Sequence, residues 1–346
     1  MDKFQDAQQY LAQNSHCWLV TGAAGFIGSN LVEALLRLNQ RVVGLDNFAT
    51  GQRRNLEQVR AAVGAAAWER FELVEGDIRQ AQDCAAACGG NGAGVEYVLH
   101  QAALGSVARS FDDPVATNAT NVDGFLQVLV AARDAGVRRV VYAASSASYG
   151  DQQDLPKAED RIGEPLSPYA VSKYVGELYA NVFGRNYGLE TIGLRYFNVF
   201  GPRQNPEGVG AAVIARWARA LIRNDALYIN GDGETSRDFC FVDNVVQANI
   251  LAALADGEAA GQVFNVALGE RTSLNALYGM MRDALAQRFP HVGAHRPQYA
   301  EFRRGDVRHS QANIGKATAL LGYRPTHRIE AGLKQTMDWY VRHLAQ

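Results

Sequence analysis

Two patterns of hydrophobic and polar residues alternate along the first half of the chain. Short apolar runs, such as WLV at residues 18–20 and VVY at residues 140–142, are separated by stretches whose apolar residues recur every three or four positions. The runs are typical of strands buried on both faces, and the second pattern is typical of amphipathic helices. We predict six such strands, separated by helices, between residues 17 and 200. The predicted fold is therefore α/β, a Rossmann-like doubly wound parallel sheet.

The pattern changes after the sixth predicted strand. Helices and short strands then mix, and loops rich in Gly, Pro, Arg and Asp intervene. Because 346 residues are many for a single core, we expect two domains. The first is a Rossmann-like domain over residues 1–198, with residues 1–16 as an additional N-terminal helix. The second is a smaller α/β C-terminal substrate lobe over residues 199–346, and some of its segments are expected to interleave with the first domain.

Composition and charge exclude several classes of protein. A net charge of −2 gives no basic surface for nucleic acid or for an anionic membrane. No apolar run approaches the roughly 18 residues of a membrane span, and residues 1–17 are too polar for a signal peptide. The four cysteines do not form a disulfide framework, and we predict buried free thiols. We expect a reduced, cytoplasmic protein without a bound metal.

Glycines in the turn after the first predicted strand are spaced to bind a phosphate. Gly22, Gly25 and Gly28 lie between this strand and a helix, where glycine lets a pyrophosphate approach backbone N–H groups. The spacing G-x-x-G-x-x-G differs from the common G-x-G-x-x-G. Asp46 ends the second strand, where a carboxylate binds ribose hydroxyls and repels a 2′-phosphate, so NAD is favoured over NADP. Asp77, after the third strand, either binds the adenine amino group or caps the next helix.

A tyrosine and a lysine stand four residues apart at the start of a predicted helix. In SPYAVSK, Tyr169 and Lys173 share one helix face. A free phenol has a pKa of about 10, and an adjacent ammonium together with the positive nicotinamide ring of NAD would lower that pKa. Ser145, at the end of the preceding strand, can share a proton with a substrate oxygen. The pair alone is common on helix surfaces, but with the upstream glycines it predicts a site of proton transfer.

Together these residues resemble the extended short-chain dehydrogenase/reductase family, whose members act on nucleotide sugars. The resemblance runs from about residue 17 to the C-terminus and includes TGAAGFIG, HQAA, SPYAVSK, LRYFNVFGP, NGDGETSRDFCFVDN and RRGDVRHS. It implies that Tyr169 is the base, that Lys173 binds the nicotinamide ribose and that Ser145 assists at the sugar oxygen. The predicted cofactor-binding residues are Gly22, Gly25, Phe26, Ile27, Gly28, Asp46, Asn47, Asp77, Ile78, Gln101, Ala102, Tyr169, Lys173 and Tyr196.

Members of this family first oxidise the sugar at C4 and then differ in the next step. Dehydratases usually carry an Asp-Glu pair directly after the Ser/Thr position, and decarboxylases carry a nearby Glu. Here Ser146, Ala147 and Ser148 follow Ser145, which predicts C4 epimerisation. The segments HQAALGSVARS, YAASS and GDVRHSQA are most similar to bacterial UDP-N-acetylglucosamine 4-epimerases that make UDP-GalNAc for surface polysaccharide.

Three alternatives remain open beside this interpretation. The chain could be an epimerase of UDP-glucose and UDP-galactose, an epimerase of UDP-glucuronate, or a non-catalytic NAD-binding regulator. An intact Ser, Tyr and Lys set argues against the regulator, because a sensor does not need the base. The resemblance also implies a homodimer formed through helices of the first domain.

The resemblance places the UDP-sugar mainly in the second lobe. Gly105 and Ser310 stand where UDP-galactose 4-epimerases often carry bulkier residues, which favours an acetylated sugar. Arg237 and Arg303 suit the diphosphate, because guanidinium forks match its oxygens, although surface ion pairs are the alternative. Tyr228 either stacks on uracil or packs in the core. The predicted substrate-binding residues are Gly105, Ser106, Ser145, Ser146, Tyr169, Asn198, Ala212, Tyr228, Asn230, Arg237, Arg303, Asp306 and Ser310.

Overall fold

A computed structural model describes residues 2–89, 92, 94–207, 211–302 and 307–344. The strands are β1 (Cys17–Thr21), β2 (Arg41–Asp46), β3 (Phe71–Glu75), β4 (Tyr97–His100), β5 (Arg139–Ser145), β6 (Glu190–Tyr196), β7 (Val199–Phe200), β8 (Tyr228–Asn230), β9 (Ser236–Arg237), β10 (Cys240–Phe241), β11 (Val263–Val266), β12 (Thr272–Ser273) and β13 (Gln298–Ala300). Seven of them form one parallel sheet in the order β11-β6-β5-β4-β1-β2-β3. This arrangement confirms the predicted doubly wound fold.

Helices cover both faces of this sheet and also build the second lobe. The helices of the described residues are α1 (Lys3–Gln13), α2 (Phe26–Arg37), α3 (Arg53–Val63), α4 (Ala65–Trp68), α5 (Ala81–Gly89), α6 (Val107–Asp112), α7 (Pro114–Asn118), α8 (Gly124–Asp134), α9 (Pro168–Tyr187), α10 (Val213–Arg223), α11 (Val242–Leu254), α12 (Leu274–Ala286), α13 (Pro290–Ala294), α14 (Gly315–Leu321) and α15 (Ile329–Leu344). A π-helical turn, Ala119–Asp123, joins α7 to α8. None of the described helices is long and apolar enough to cross a membrane.

The continuous apolar strands are explained by burial on both faces. Alternate residues of β1 enter two separate core clusters: Trp18 and Val20 pack with side chains of α1, α2 and α11, and Leu19 packs with side chains of α5, α8 and α9. Parallel strands place all their carboxyl ends at one edge of the sheet, so the residues that follow β1, β2, β4, β5 and β6 converge there. The four cysteines are buried and free, as predicted.

The second lobe has its own apolar core, formed mainly by α10, α12 and α15. Its short strands pair as β8 with β13, β9 with β12 and β7 with β10. Three elements from beyond residue 198 return to the first domain: β11 pairs with β6 in the main sheet, α11 packs beside α2, and α14 packs against β11 and α11. The domain division at residue 198 stays a prediction. Although β11 and α11 follow this residue in the chain, they pack as part of the first domain.

Candidate active site

The turn between β1 and α2 brings backbone N–H groups to the carboxyl edge of the sheet. Gly22 has φ of 70°, a left-handed conformation that glycine adopts without strain. A Cβ atom on Gly28 would lie 2.0 Å from the carbonyl oxygen of Gly22, so only glycine lets α2 begin this close to β1. Gly25 is the N-cap residue of α2, and no side chain caps this helix. The first N–H groups of α2 can therefore bind an anion, as the glycine spacing predicts.

Asp46 ends β2 beside this turn and is 7% exposed. Its Oδ1 accepts a hydrogen bond from the N–H of Phe48 and its Oδ2 accepts one from the N–H of Ala24, both at 2.8 Å. Burial raises the pKa of Asp46, and the two hydrogen bonds oppose that shift. The carboxyl group faces Gly51 in the wall of the cavity. A 2′-phosphate on the cofactor would meet this charge, which supports NAD over NADP.

Asn47 and Asp77 form a polar edge on the same side. The carboxylate of Asp77 accepts a hydrogen bond from Asn47 Nδ2 at 2.9 Å and further hydrogen bonds from Arg79. The bond with Arg79 lowers the pKa of Asp77 to about 2. Since the Asp77 side chain closes a local turn onto Arg79 and α5 begins only at Ala81, it is not the cap of that helix. Its contact with adenine stays a prediction.

A cavity of about 490 Å³ joins these elements. It is bounded by the glycine turn, the end of β2, residues 76–79 and residues 101–106. Its size is within the range of protein sites for organic ligands. The glycine turn in its wall is of the kind that binds the pyrophosphate of a dinucleotide. The predicted residues that line it are Gly22, Gly25, Phe26, Ile27, Gly28, Asp46, Asn47, Ile78, Gln101, Ala102, Gly105 and Ser106.

A buried asparagine ties together two of the predicted cofactor residues, Gln101 and Tyr196. The hydroxyl of Tyr196 donates to Gln101 Oε1 at 3.2 Å and accepts from Asn249 Nδ2 at 2.9 Å. Gln101 Nε2 in turn donates to Asn249 Oδ1 at 3.2 Å. This closed ring of hydrogen bonds links β4, β6 and α11. Asn249 has no signal in the sequence, because it lies in an apolar helix far along the chain from both partners.

Ser145, Tyr169 and Lys173 meet at the carboxyl end of β5. Ser145 is the last residue of this strand and is 8% exposed. Ser167 caps α9 through its side chain, which places Tyr169 in the first turn of that helix. Tyr169 lies beside Ser145, whose side chain acts to lower the pKa of the phenol. Lys173 Nζ donates to the carbonyl of Ala143 at 2.9 Å and lies 5.9 Å from the centre of the Tyr169 ring. The structure therefore brings the three predicted catalytic residues together.

Burial determines the protonation of this group. It raises the pKa of Tyr169, and the hydrogen bond with Ser145 opposes that shift. Burial lowers the pKa of Lys173 to about 8, so the side chain is still mostly charged at neutral pH. Lys173 does not by itself bring the pKa of Tyr169 below its usual value, because the effect of burial is larger and raises that pKa. The predicted shift toward the phenolate therefore also requires the positive charge of a bound nicotinamide.

The residues after Ser145 form a short 3₁₀ turn, Ser146–Tyr149. Ser145 Oγ accepts a hydrogen bond from the N–H of Ala147 at 3.1 Å and so caps this turn. Ser146 is half-buried beside it, and Ser148 is buried. The turn contains no carboxylate, so it offers no acid–base pair to a 4-keto sugar.

Arg237 and Ser310 lie on one surface of the second lobe. The N–H of Ser310 donates to the carbonyl of Ser236 at 3.1 Å, and Ser236 Oγ lies 2.8 Å from His309 Nδ1. Arg237 Nη1 donates to the carbonyls of Ser236 and Arg308 at 2.9 and 3.3 Å. These bonds hold residues 307–310 against β9.

Four further predicted substrate residues lie after β6, at the start of α10 and on β8. Asn198 follows β6 and donates from Nδ2 to the carbonyl of Asp238 at 3.3 Å. Ala212 is the N-cap residue of α10, and Asn230 ends β8. Tyr228, at the start of β8, is 52% exposed, so the alternative of core packing is wrong and its ring is free to stack.

Some predicted residues lie outside the structure described, and others in the cavity were not predicted. Arg303 and Asp306 fall outside the described residues, so their contacts with the nucleotide stay predictions. The unpredicted residues stand in loops or on distant segments, where no local pattern identifies them. The polar ones that line the cavity include Thr50, Gln52, Asn55, Arg109, Thr120 and Arg203.

Known proteins similar to this chain carry the names of UDP-sugar 4-epimerases. A UDP-glucose 4-epimerase of Mycolicibacterium smegmatis is 38% identical over 93% of this chain and 97% of its own length. A UDP-glucuronate 4-epimerase of Thermodesulfobacterium geofontis is 31% identical over 93% of this chain and 95% of its own length. The solved UDP-N-acetylglucosamine 4-epimerase of Methanobrevibacter ruminantium, in complex with UDP-N-acetylmuramic acid, is 34% identical, with a TM-score of 0.85 over 95% of this chain and 99% of that one.

A family model matches residues 18–267, which span the whole parallel sheet, the glycine turn and the Ser145, Tyr169 and Lys173 group. The match confirms the resemblance at the level of the family and, through the family's dependence on it, NAD as the cofactor. The chain belongs to the NAD dependent epimerase/dehydratase family.

Proposed function

We propose that the protein is a UDP-sugar 4-epimerase that interconverts UDP-GlcNAc and UDP-GalNAc. The observation that carries the proposal is the group of Ser145, Tyr169 and Lys173 followed by a turn, Ser146–Tyr149, that has no carboxylate. Such a site can remove and return the hydrogens at one sugar carbon. It has no acid–base pair in this turn to expel water or carbon dioxide. The similar proteins named above, all called 4-epimerases, support this reaction.

Tyr169 handles the proton of the sugar 4-hydroxyl. When bound, NAD supplies the acceptor and donor of the hydride at sugar C4, so that the sugar passes through a 4-keto form. Tyr169 takes the hydroxyl proton during oxidation and gives it back during reduction. Ser145, beside Tyr169, holds the sugar oxygen at the phenol. Lys173, fixed by its bond to Ala143 and 5.9 Å from the centre of the Tyr169 ring, keeps a positive charge near the phenol and would bind the nicotinamide ribose.

Epimerisation requires the 4-keto sugar to turn over before it is reduced on its other face. The substrate is therefore best held by its nucleotide, with few contacts to the ring. The second lobe suits this need, since the guanidinium of Arg237 can bind the diphosphate and the exposed ring of Tyr228 can stack on uracil. We assign to Asn198, which follows β6, a contact with the sugar or a phosphate oxygen.

The preference for an acetylated sugar rests on two small residues. Around a Cβ atom on Gly105 there would be open space to at least 4 Å, and Ser310 is a small residue beside Arg237. The similar proteins carry the names of glucose, glucuronate and N-acetylglucosamine epimerases. The proposal of an acetylated sugar therefore depends on Gly105 and Ser310 alone.

Incubation of the protein with UDP-GlcNAc, UDP-glucose and UDP-glucuronate in separate reactions tests the function. We expect UDP-GlcNAc to give one product of unchanged mass, the C4 epimer, and to be used faster than the other two. Mass spectrometry and proton NMR of the nucleotide sugars identify the product and measure the rate at which each substrate is used. Faster use of UDP-glucose or UDP-glucuronate would show that the proposed substrate is wrong, although C4 epimerisation would still be the reaction. Loss of water or carbon dioxide would contradict epimerisation, and absence of any product would favour a regulator.

We also propose that the protein is a homodimer, formed through α6, α7 and α9. These helices pack against one another, and their outer surface exposes several large apolar side chains. Val171, Leu178 and Val182 lie at helical spacing on one face of α9 and are exposed, as are Phe111 on α6 and Val115 on α7. Several exposed apolar side chains on neighbouring helices are more typical of a contact between subunits than of free helix faces.

Glutamate in place of both Leu178 and Val182 should convert the dimer into monomers, because four charges would face each other across the contact. Multi-angle light scattering should give twice the mass of one chain for the unaltered protein and the mass of a single chain for the variant. Tyr10→Glu, which places a charge at an exposed ring of α1, is the control and should stay dimeric. A dimer that survives the double replacement would place the contact elsewhere.

We place this reaction in the cytoplasm and propose that it supplies UDP-GalNAc for surface polysaccharide. The four buried free thiols support a reducing compartment. The role in polysaccharide follows only from the resemblance of HQAALGSVARS, YAASS and GDVRHSQA to the bacterial enzymes.

A further inference from the structure

Asn249 is a fully buried amide on α11, a helix that otherwise contributes mainly apolar side chains to the core of the first domain. Its Nδ2 donates to the carbonyl of Val245 at 2.8 Å and to the hydroxyl of Tyr196 at 2.9 Å. Its Oδ1 accepts from Gln101 Nε2 at 3.2 Å. Burying an amide is costly unless its hydrogen bonds are made, and a leucine would fill a similar volume without that requirement. Packing alone therefore does not explain an asparagine here.

One backbone carbonyl sets the direction of the whole ring of hydrogen bonds. Because a carbonyl oxygen only accepts, the Asn249 atom that faces Val245 is the amide nitrogen, and Oδ1 then faces Gln101. Gln101 therefore presents Nε2 to Asn249 and Oε1 to the hydroxyl of Tyr196, which donates to it at 3.2 Å. Burial raises the pKa of Tyr196, so the phenol keeps the proton that this bond needs. The carboxamide of Gln101 is thus held in one orientation from α11.

The order of strands places Gln101 on the nicotinamide side of the cavity. Six of the seven strands of the main sheet run in the order β6, β5, β4, β1, β2 and β3. Asp46, at the end of β2, marks the adenosine side of the glycine turn, and Ser145, at the end of β5, marks the side of the proposed catalytic group. Gln101 follows β4, between these two, and lines the cavity. A Cβ atom on Gly22 would lie 3.1 Å from the carbonyl carbon of Gln101, so this residue also abuts the turn.

We infer that Asn249 is a positioning residue for the cofactor: by fixing the carboxamide of Gln101, it shapes the cavity wall that meets the nicotinamide half of NAD. Asn249 acts through Gln101, since it is not itself among the described residues that line the cavity. The inference rests on the proposed function only for which end of NAD reaches Ser145 and Tyr169. Its test measures binding and not turnover, so an inactive protein would contradict the proposed function and leave the binding result untouched.

Calorimetry with NAD and with ADP, on the full-length protein freed of nucleotide, tests the inference. Asn249→Leu removes the amide and keeps a side chain of similar size. We expect it to weaken NAD about 2- to 10-fold, the usual effect of losing one neutral hydrogen bond, and to leave ADP unchanged, because ADP lacks the nicotinamide half. Gln101→Met should weaken NAD by a similar factor. Asn249→Leu added to Gln101→Met should cause no further loss, since the two residues act as one unit.

Asn244→Leu is the matched control, because Asn244 is an equally buried amide on the same helix. Its Oδ1 accepts from the backbone N–H groups of Thr326 and His327 at 2.9 and 3.1 Å. Neither partner is among the described residues that line the cavity. Asn244→Leu should lower the temperature of thermal unfolding, as Asn249→Leu does, but it should leave the binding of NAD unchanged.

The inference is overturned if Asn244→Leu weakens NAD as much as Asn249→Leu does, since the loss of any buried amide would then suffice. It is also overturned if Asn249→Leu weakens NAD and ADP equally, if it leaves NAD unchanged, or if its effect is undiminished in the Gln101→Met protein. If Asn249→Leu does not fold, Asn249→Ser decides, because a serine hydroxyl can bond to the carbonyl of Val245 but is too short to reach Gln101. Unchanged binding of NAD by Asn249→Ser would then overturn the proposal.

Discussion

Tyr169→Phe should slow epimerisation about 100- to 10,000-fold, the usual effect of removing a general acid–base group. The replacement removes one hydroxyl, which lies beside Ser145 and has no other role in the fold that we identify. The stability of the protein and its content of bound NAD should therefore stay close to those of the unaltered protein. The turnover of UDP-GlcNAc, thermal unfolding and the absorbance of released nucleotide measure the three quantities.

Tyr179→Phe is the matched control, because Tyr179 lies on the same helix, α9, with its side chain partly exposed outside the site. It should leave turnover unchanged. Near-normal turnover in Tyr169→Phe would show that the SPYAVSK segment is an ordinary helix surface. A large loss in both variants would indicate that α9 tolerates no change, and the role of Tyr169 as the base would then be unsupported.

The main sheet could be predicted because its strands are buried on both faces. In β1, every residue is buried, and a run of this kind stands out from the surrounding helical periodicity without reference to the rest of the chain. The glycine turn could also be predicted from the sequence, because Gly28 approaches Gly22 so closely that no Cβ atom fits at position 28. Local patterns of this sort predict the elements and the residues at strand ends.

Features that depend on contacts between distant segments could not be read in this way. VFNV at residues 263–266 has the pattern of a strand, but nothing in it indicates β6 as its partner. Asn249 bonds to Gln101, and Arg203 lines the cofactor cavity, from segments whose local sequence carries no signal. The pKa of Tyr169 is a further case: the spacing to Lys173 indicates an ammonium nearby, whereas the burial that raises the pKa and the bond from Lys173 to Ala143 emerge only from the packed structure.

Ser310→Tyr should separate acetylated from non-acetylated substrates. Ser310 is held beside Arg237 by the bond from its N–H to the carbonyl of Ser236, so a larger side chain at this position has little freedom to move away. If the 2-acetamido group occupies the adjoining space, a tyrosine would overpack it at a cost of about 1–3 kcal/mol, or roughly 5- to 150-fold in binding. The kcat/KM values for UDP-GlcNAc and UDP-GalNAc should fall by that factor.

UDP-glucose and UDP-galactose should keep their kcat/KM in Ser310→Tyr or gain, because their 2-hydroxyl needs less space than an acetamido group. Ser310→Ala is the control: it removes the hydroxyl without filling the pocket, and it should leave the ratio between the two classes of sugar unchanged. Equal losses for both classes in Ser310→Tyr would mean that the residue supports the packing of residues 307–310 on β9. If Ser310→Tyr keeps the kcat/KM values for both classes of sugar, the acetamido group lies elsewhere. Since the backbone bond to Ser236 is the same in all three proteins, a change confined to the acetylated sugars can arise only from the volume of the side chain at this position.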